Sequence, residues 1–161
     1  MRFAFTQDQI DFADAVSDLF AKECTPTHLR SAWENDTGRI PGLWNMLVEM
    51  GVVGLLAPEG VGGLGMSALD LVRIAYESGR VGLPEPLSAT AGVVVPAVRD
   101  HAESAEAERW LTEIVDGSAN IPVGLARNPL VLNADGAPVL LLEAADGLHL
   151  VDGDVVELAA E

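Results

Sequence analysis

A glycine-rich stretch, Ala57–Ser67, lies between two segments with helical patterns and most restricts how this chain can fold. Gly60, Gly62 and Gly65 fit the spacing G-x-G-x-x-G, which binds a dinucleotide pyrophosphate when it follows a strand and opens a helix. The upstream patterns are helical, however, and Glu59 places a carboxylate beside the first glycine. We therefore interpret the stretch as a tight turn at which one backbone segment approaches another.

The first helix is marked at both ends. Thr6 and Gln9 fit a capping box, in which each side chain accepts a hydrogen bond from the backbone N–H of the other residue. Pro26 predicts that the helix ends near Cys24. The stretch from residue 25 to residue 40 is predicted to be a loop.

Two further helices are predicted on either side of the glycine-rich stretch. Pro41 suits the first turn of the second helix, and Gly51 suits its C-terminal cap. Ser67 and Asp70 mark the start of the third helix, which Gly79 can stop. The apolar residues that continue the third helix are Leu69, Val72 and Tyr76.

A fourth, apolar helix is predicted from Ser88 to Asp100, with a kink or a new turn at Pro96. Ser104 is predicted to cap a fifth helix that ends at Gly117. Its expected buried residues are Trp110, Leu111, Ile114 and Val115.

The hydrophobic period changes after residue 117, where short apolar runs predict strands. The predicted strands are Ile121–Leu125, Val139–Leu142, Leu148–Val151 and Val155–Leu158, with hairpin turns at Asp146-Gly147 and Asp152-Gly153. We predict a mainly α, α+β fold: a helical N-terminal domain over residues 1–118, then the opening strands of an antiparallel β domain over residues 119–161. We expect that β domain to be truncated, so that further chain or a partner completes it.

Charge and hydropathy restrict which partners and which location are expected for the chain. The chain has 161 residues and a formal net charge of −16, from 25 acidic and 9 basic residues. Nucleic-acid binding depends on basic side chains that neutralise phosphates, so we expect no nucleic-acid partner. No apolar run approaches the roughly 20 residues that cross a bilayer, and we expect no membrane partner. The sequence Met1–Thr6 lacks the features of a secretory signal, so the expected location is cytoplasmic.

No catalytic or metal-binding residue can be assigned from spacing alone. Cys24 is the single cysteine and is interpreted as a small buried residue at a helix end, in a reducing compartment. The three histidines lack the spacing of metal ligands, so no metal is expected. Glu77 is expected to pair with Arg80 or Arg73 rather than act as a base, and Glu59 is expected to be exposed.

Several of these features follow one another in the order of a known enzyme family. They are Phe5-Thr6-Gln7-Asp8-Gln9, Pro41, Met50-Gly51-Val52-Val53-Gly54, Pro58-Glu59, Gly62-Gly63-Leu64-Gly65 and Tyr76-Glu77-Ser78-Gly79-Arg80. In this combination, residues 5 to 120 resemble the N-terminal helical domain of the acyl-CoA dehydrogenases.

The resemblance implies that the helices form one wall of an acyl-chain pocket, with Pro86, Leu87 and Thr90 where a helix faces the acyl chain. In this family FAD takes the β-hydride of an acyl-CoA thioester, and a glutamate in a C-terminal bundle removes the α-proton. The region of that glutamate is not among these 161 residues. The family's flavin-binding Thr-Glu-Pro and Gly-Ser-Asp segment is replaced by Pro122-Val123-Gly124-Leu125-Ala126-Arg127-Asn128-Pro129, which argues against flavin binding by this chain.

The connector Gly82–Leu87 and the short opening of the β region are similar to those of short actinobacterial subunits. Such subunits pair with a complete dehydrogenase subunit, and their substrates include steroid side-chain CoA thioesters. The leading hypothesis is therefore an acyl-CoA dehydrogenase subunit or fragment, in a homo- or hetero-oligomer that holds FAD and an acyl-CoA substrate. Two alternatives stay open: a non-catalytic structural subunit that shapes a partner's pocket, and a helical interaction module without a redox role.

Overall fold

The computed structural model describes residues 4–128 and 130–157 as a group of helices that packs against a small sheet. The helices are α1 (Gln7–Glu23), α2 (Pro26–Trp33), α3 (Leu43–Glu49), α4 (Ala68–Val81), α5 (Leu87–Ala89), α6 (Val95–His101) and α7 (Ser104–Val115). The strands are β1 (Val123–Gly124), β2 (Val139–Ala144) and β3 (Gly147–Asp152). The largest fully buried side chains include Phe20, Leu43, Leu47, Leu55, Ile74, Leu87, Ile114 and Ile121. Within this described part, no helix has the length and apolar character that crossing a membrane requires.

The capping signals of α1 and α4 are confirmed, and they are connected to each other. The Gln9 N–H donates to Thr6 Oγ1 at 3.3 Å, and the Thr6 N–H donates to Gln9 Oε1 at 2.9 Å. Ser67 and Asp70 form the second capping box, at the start of α4. Gln9 Nε2 also donates to Asp70 Oδ1 at 2.8 Å, so the two helices are joined where both begin.

The predicted loop over residues 25–40 is wrong in its first half, because α2 occupies Pro26–Trp33. Thr25 is the N-cap of α2, and its Oγ1 accepts a hydrogen bond from the His28 N–H at 3.2 Å. Pro26 suits the first turn of a helix, where an N–H has no partner. The same proline that ends α1 therefore begins α2.

The second predicted helix starts later than expected and ends as expected. Pro41 precedes α3, because Gly42 adopts a left-handed conformation with φ of 80° and becomes the N-cap. At the other end, Gly51 has φ of 75° and donates to Val48 O at 2.8 Å. Such a left-handed glycine directs the chain away from the helix axis.

The glycine-rich stretch folds back on the residues that precede it. Gly65 N–H donates to Ala57 O at 2.8 Å, and Gly63 N–H donates to Pro58 O at 3.1 Å. A Cβ atom at position 63 would lie only 2.2 Å from Ala57 O. The backbone approach that we predicted is confirmed. No strand precedes this turn among residues 4–56, so it does not have the form of a dinucleotide-binding site.

The third predicted helix, α4, continues past Gly79 to Val81 and ends at Gly82, whose φ is 65°. The apolar residues predicted to continue this helix lie on the face of α4 that is exposed to solvent. Leu69, Val72 and Tyr76 are 54%, 52% and 70% exposed, whereas the buried residues are Leu71, Ile74 and Ser78. Both stripes have helical spacing, so periodicity could not decide which of them packs against α1.

The fourth predicted helix is divided into α5, a π-helical turn at Thr90–Val94 and α6. The Val95 N–H donates to Thr90 O, five residues back, and Pro96 lies in the first turn of α6. Ser104 is the first residue of α7 rather than its cap, which is Glu103. The buried residues of α7 are Trp110, Leu111 and Ile114, with Val115 partly buried against the core.

The three strands lie in the order β1–β2–β3. β2 and β3 form an antiparallel hairpin in which Ala144 pairs with Gly147, and β1 adds a two-residue parallel pairing to β2. The predicted fold class is confirmed. The predicted strand Val155–Leu158 and its turn at Asp152-Gly153 are wrong: Gly153–Val155 is a 3₁₀ turn, and residue 158 lies outside the described residues. The backbone bonds give the physical reason: the Gly153 N–H donates to Pro138 O at 2.9 Å, and the Val156 N–H donates to Gly153 O at 3.2 Å, which closes a local turn.

Candidate substrate-pocket wall

Two cavities are relevant to ligand binding. The larger has a volume of about 770 Å³, lies between α6, α7 and the β2–β3 hairpin, and includes His101 and His149 in its lining. The smaller has a volume of about 390 Å³ and lies where residues 37–39, the connector 83–86 and the segment 120–123 meet. We call the smaller cavity the connector pocket. It is the candidate site, because a residue predicted to contact the acyl chain lines it and none lines the larger cavity.

The three residues predicted for the pocket wall lie at different depths. Pro86 lines the connector pocket. Leu87 is fully buried beneath it in the core, and Thr90 is also fully buried. Thr90 Oγ1 donates to Asn120 Oδ1 at 3.4 Å, and Asn120 lines the pocket. The structure thus places Pro86 at the surface of the connector pocket, whereas Leu87 and Thr90 are buried and do not line it.

The sequence analysis missed an ion pair between Arg39 and Glu85 at this pocket. Arg39 donates from both Nε and Nη2 to Glu85 Oε2, and both residues line the pocket. The Glu85 side chain is only 1% exposed and that of Arg39 is 26% exposed. A carboxylate between Pro84 and Pro86, in an otherwise apolar connector, is the signal that could have indicated it.

The environment of Glu85 has opposing effects on its proton affinity. Burial raises the pKa of the Glu85 carboxyl above its ordinary value, and this effect exceeds those of the Arg39 guanidinium and the backbone N–H of Ile40, which lower it. Glu85 Oε1 is buried and accepts no close hydrogen bond from the residues that the structure describes.

Contacts to its side chain and to its backbone carbonyl position Arg39. Its guanidinium lies over the Trp44 ring, 5.2 Å from the ring centroid. The Asn35 side chain donates to Arg39 O at 3.0 Å, and its Oδ1 accepts from the Thr37 N–H at 3.0 Å. These local bonds shape residues 35–39 into a turn, so one side of the connector pocket is held in place.

The two carboxylates considered as bases lie elsewhere. Glu77 pairs with Arg80 at 2.6 Å and accepts from Ser17 Oγ at 3.2 Å, which confirms the expected ion pair. The hydrogen bond from Arg80 lowers the pKa of Glu77. Glu59 is exposed, as expected, and neither carboxylate lines the connector pocket.

Cys24 has the properties of an inert thiol. It is buried at the C-terminal end of α1. Burial raises the pKa of Cys24 to about 11, and the charges of Glu85 and Glu23 act in the same direction. A thiol with so high a pKa is a poor nucleophile at neutral pH, which agrees with a packing role.

The segment that replaces the family's flavin motif uses some of its backbone donors within the chain. The Ala126 N–H donates to Glu143 Oε2 at 2.9 Å, and the Asn128 N–H donates to Leu125 O at 2.8 Å. These donors are thus already used within the chain. A carboxylate is also an unfavourable neighbour for the anionic diphosphate of FAD. Two backbone donors of the segment are therefore not free to bind a flavin.

Comparison with known proteins identifies the family of the helical part. The family model described as "Acyl-CoA dehydrogenase, N-terminal domain" matches residues 6–118. The chain is 33% identical, over 146 residues, to the acyl-CoA dehydrogenase IpdE2 of Mycobacterium tuberculosis; the match covers 90% of this chain and 39% of that protein. The chain thus spans less than half the length of the curated relatives it matches.

Two solved structures share the fold. The Tcur3481-Tcur3483 steroid ACAD G363A variant has a TM-score of 0.78 at 25% identity, over 92% of this chain and 48% of the matched chain. The ChsE4-ChsE5 complex from Mycobacterium tuberculosis has a TM-score of 0.81 at 20% identity, over 94% and 49%. With the match to residues 6–118, the order of helices and the turn at Ala57–Ser67 show that this chain belongs to the acyl-CoA dehydrogenase family.

Proposed function

We propose that this chain supplies one wall of the acyl pocket in an assembly that performs FAD-dependent α,β-dehydrogenation of an acyl-CoA thioester. The supporting observation is that Pro86 lines the connector pocket, between the helices and the segment that opens the sheet. In this proposal Pro86 contacts the acyl group, and Leu87 and Thr90 fix the wall from behind. Residues 1–118 then act as the helical domain, and residues 119–161 as the beginning of the β domain.

We also propose that a second acyl-CoA dehydrogenase subunit completes the pocket. Two of the structures that share the fold are described by paired names, Tcur3481-Tcur3483 and ChsE4-ChsE5. The Ala126 N–H already donates to Glu143, which supports placing FAD on other residues of the assembly. A cytoplasmic location belongs to this proposal and is supported by the single cysteine, Cys24.

A steroid-derived acyl-CoA is the substrate class that we propose. One of the solved structures is described as a steroid ACAD, and it is 25% identical over 92% of this chain. A cavity of about 390 Å³ is within the range of small-ligand sites, and a partner would enlarge it by covering its open side. Apolar residues at its rim, Leu130 and Leu132, suit an apolar ring or chain.

A second candidate function is a purely structural subunit that shapes the pocket of a catalytic partner. The observation that favours it is again the segment 122–128, where the N–H groups of Ala126 and Asn128 are used within the chain. The two candidates differ in whether any residue of this polypeptide acts on the flavin or on the reacting carbons.

The proposal can be tested by purifying the protein alone and together with an acyl-CoA dehydrogenase encoded beside its gene. We expect a colourless protein when it is produced alone, and visible flavin absorption that bleaches on addition of acyl-CoA when the pair is produced together. Stoichiometric flavin in the protein alone would contradict a partner-held cofactor. A failure of the two proteins to associate would contradict the assembly.

A matched pair of variants tests the wall itself. Pro86→Trp narrows the pocket and should raise the KM for acyl-CoA at least about tenfold without changing the flavin content of the complex. Ser88→Trp is the control, because Ser88 is exposed on α5 and does not line the pocket. Equal kinetic effects of the two substitutions would refute a pocket role for Pro86.

A further inference from the structure

An ion pair connects two of the segments that line the connector pocket. Arg39 belongs to the turn 35–39, and Glu85 belongs to the connector 83–86. Arg39 Nε donates to Glu85 Oε2 at 2.6 Å, and Arg39 Nη2 donates to the same oxygen. Because 46 positions separate the two residues, the pair joins segments that are distant along the chain.

The Arg39 end of the pair is fixed to the helical part of the fold. Its guanidinium lies over the Trp44 ring, at 5.2 Å from the ring centroid. Asn35 Nδ2 donates to Arg39 O at 3.0 Å and to Ser31 O at 3.3 Å, and Ser31 belongs to α2. The turn therefore offers a fixed point to which the connector can be attached.

The connector has few backbone donors with which to attach itself. Pro84 and Pro86 have no N–H group. The Glu85 carboxylate, whose side chain is only 1% exposed, supplies the polar contact to the turn. Glu85 directly precedes Pro86, which lines the pocket and is the N-cap of α5. A displacement of Glu85 therefore moves Pro86 relative to the turn.

The chemistry of the pair suits a geometric role better than a stabilising one. Replacing a buried ion pair by apolar residues of similar volume often leaves stability unchanged, because desolvation of the charges offsets their attraction. The planar guanidinium of Arg39 nevertheless fixes the direction of its hydrogen bonds to Glu85, which an apolar contact does not. The pair thus defines where the connector lies against the turn.

We propose that Arg39 and Glu85 are positioning residues, whose ion pair holds Pro86 at the place in the pocket wall where it contacts the acyl group. This inference rests on the proposed function, because it assumes that an acyl-CoA occupies the connector pocket. Neither residue has to touch the substrate, since the pair acts through Pro86. Loss of the pair weakens acyl-CoA binding and leaves the chemical step nearly unchanged, because the flavin is held elsewhere in the assembly.

The test is steady-state kinetics of the flavin-containing complex with a steroid side-chain CoA thioester. The double variant Arg39→Met/Glu85→Leu removes the directional contact without leaving an unpaired buried charge. Small misplacements of groups that position a substrate have large kinetic effects, so we expect the KM to rise at least about tenfold. The kcat should change by less than about twofold. A double variant that folds and keeps the wild-type KM would overturn the proposal.

A second ion pair in the chain provides a matched control. Arg109 Nε donates to Glu113 Oε1 at 3.1 Å, and the Arg109 guanidinium lies 4.3 Å from the centroid of the Trp110 ring. Neither Arg109 nor Glu113 lines the connector pocket. Arg109→Met/Glu113→Leu makes the same two substitutions and should keep the KM within about twofold of the wild-type value. Equal increases of the KM in the two double variants would contradict a positioning role.

Arg39→Lys decides the question if the double variant does not fold. Lysine keeps the positive charge but lacks the planar arrangement of donors, so the KM should rise at least about threefold. An unchanged KM in Arg39→Lys would overturn the proposal.

The Pro86→Trp variant separates this inference from the proposed function. If Pro86→Trp affects the KM no more than Ser88→Trp does, the acyl pocket itself is refuted. If Pro86→Trp raises the KM while the variants of the ion pair do not, the pocket stands and the positioning role is refuted.

Discussion

The substitution Arg39→Met tests how the protein stabilises the buried Glu85 carboxylate. Arg39→Met keeps an apolar stem against Trp44 and deletes the guanidinium, so the 1% exposed Glu85 side chain loses its charged partner. Breaking a buried ion pair from one side typically destabilises a protein by about 3–5 kcal/mol. The loss of stability in Arg39→Met has a lower upper limit than this range suggests, because the Glu85 carboxylate left without a partner can take up a proton instead of staying charged.

The free energy needed to protonate Glu85 sets the upper limit on the charge-dependent loss of stability. Protonating a carboxyl with an ordinary pKa near 4.3 costs about 3–4 kcal/mol at pH 7 and about 1.6 kcal/mol at pH 5.5, at 1.36 kcal/mol per pH unit. The charge-dependent loss of stability in Arg39→Met should therefore not exceed these values. Loss of the stacking over Trp44 adds about 0.5–1 kcal/mol at both pH values. Because burial raises the folded-state pKa of Glu85 above its unfolded value, its favourable contribution is greatest at low pH and is lost as pH rises through the folded pKa.

The assay is urea unfolding of the wild-type chain, Arg39→Met and the double variant Arg39→Met/Glu85→Leu, at pH 7 and pH 5.5. We expect Arg39→Met to lose at most about 4–5 kcal/mol at pH 7 and about half as much at pH 5.5. The double variant should be more stable than Arg39→Met at pH 7, because no unpaired charge remains. A loss that is the same at both pH values, or a double variant that is less stable than the single one, would refute this reasoning.

Three further predictions concern packing, capping and reactivity. Gly63→Ala should lower the free energy of unfolding by about 2 kcal/mol or more, because its Cβ would clash with Ala57 O. The control Gly60→Ala has open space and should change it by less than about 0.5 kcal/mol in thermal unfolding; equal effects would contradict the close approach. Thr6→Ala removes an N-cap and should cost about 1 kcal/mol in urea unfolding, and no change would mean that the cap contributes nothing. Iodoacetamide at pH 8 should alkylate Cys24 at least about 100-fold more slowly in the native chain than in urea. The reason is that a pKa of about 11 leaves only about one Cys24 side chain in a thousand as the reactive thiolate. Similar rates in the two conditions would contradict the burial of Cys24.

Local signals in the sequence were sufficient for much of the helical part. The capping boxes at Thr6 and Ser67 and the left-handed Gly51 depend on residues three or four apart, so a single sequence contains all of their partners. The prediction was wrong where two local structures fitted the sequence equally well. Pro26 both ends one helix and begins the next, and α4 carries two apolar stripes of the same period. Only packing against the rest of the chain decides between such readings.

The candidate site was less predictable, because its polar pair joins residues far apart in the sequence. Arg39 and Glu85 are separated by 46 positions, and neither belongs to a short motif with a known role. Pro86 was indicated by family resemblance and lines the pocket, whereas the contact between Thr90 and Asn120 depends on the π-helical turn. A turn of this kind has no clear signal in local propensities, so the sequence could not place the Thr90 hydroxyl.

The central claim is that residues of this chain contact the acyl group in an assembly whose flavin is held elsewhere. The most direct measurement is photolysis of the flavin-containing complex with an acyl-CoA thioester that carries a diazirine at the far end of its acyl chain, followed by peptide mass spectrometry. We predict labelling within residues 83–86 or at Leu130 and Leu132, and loss of that labelling when unmodified acyl-CoA competes. Labelling confined to the partner subunit, or competed labelling of this chain only outside the connector pocket, would contradict the account.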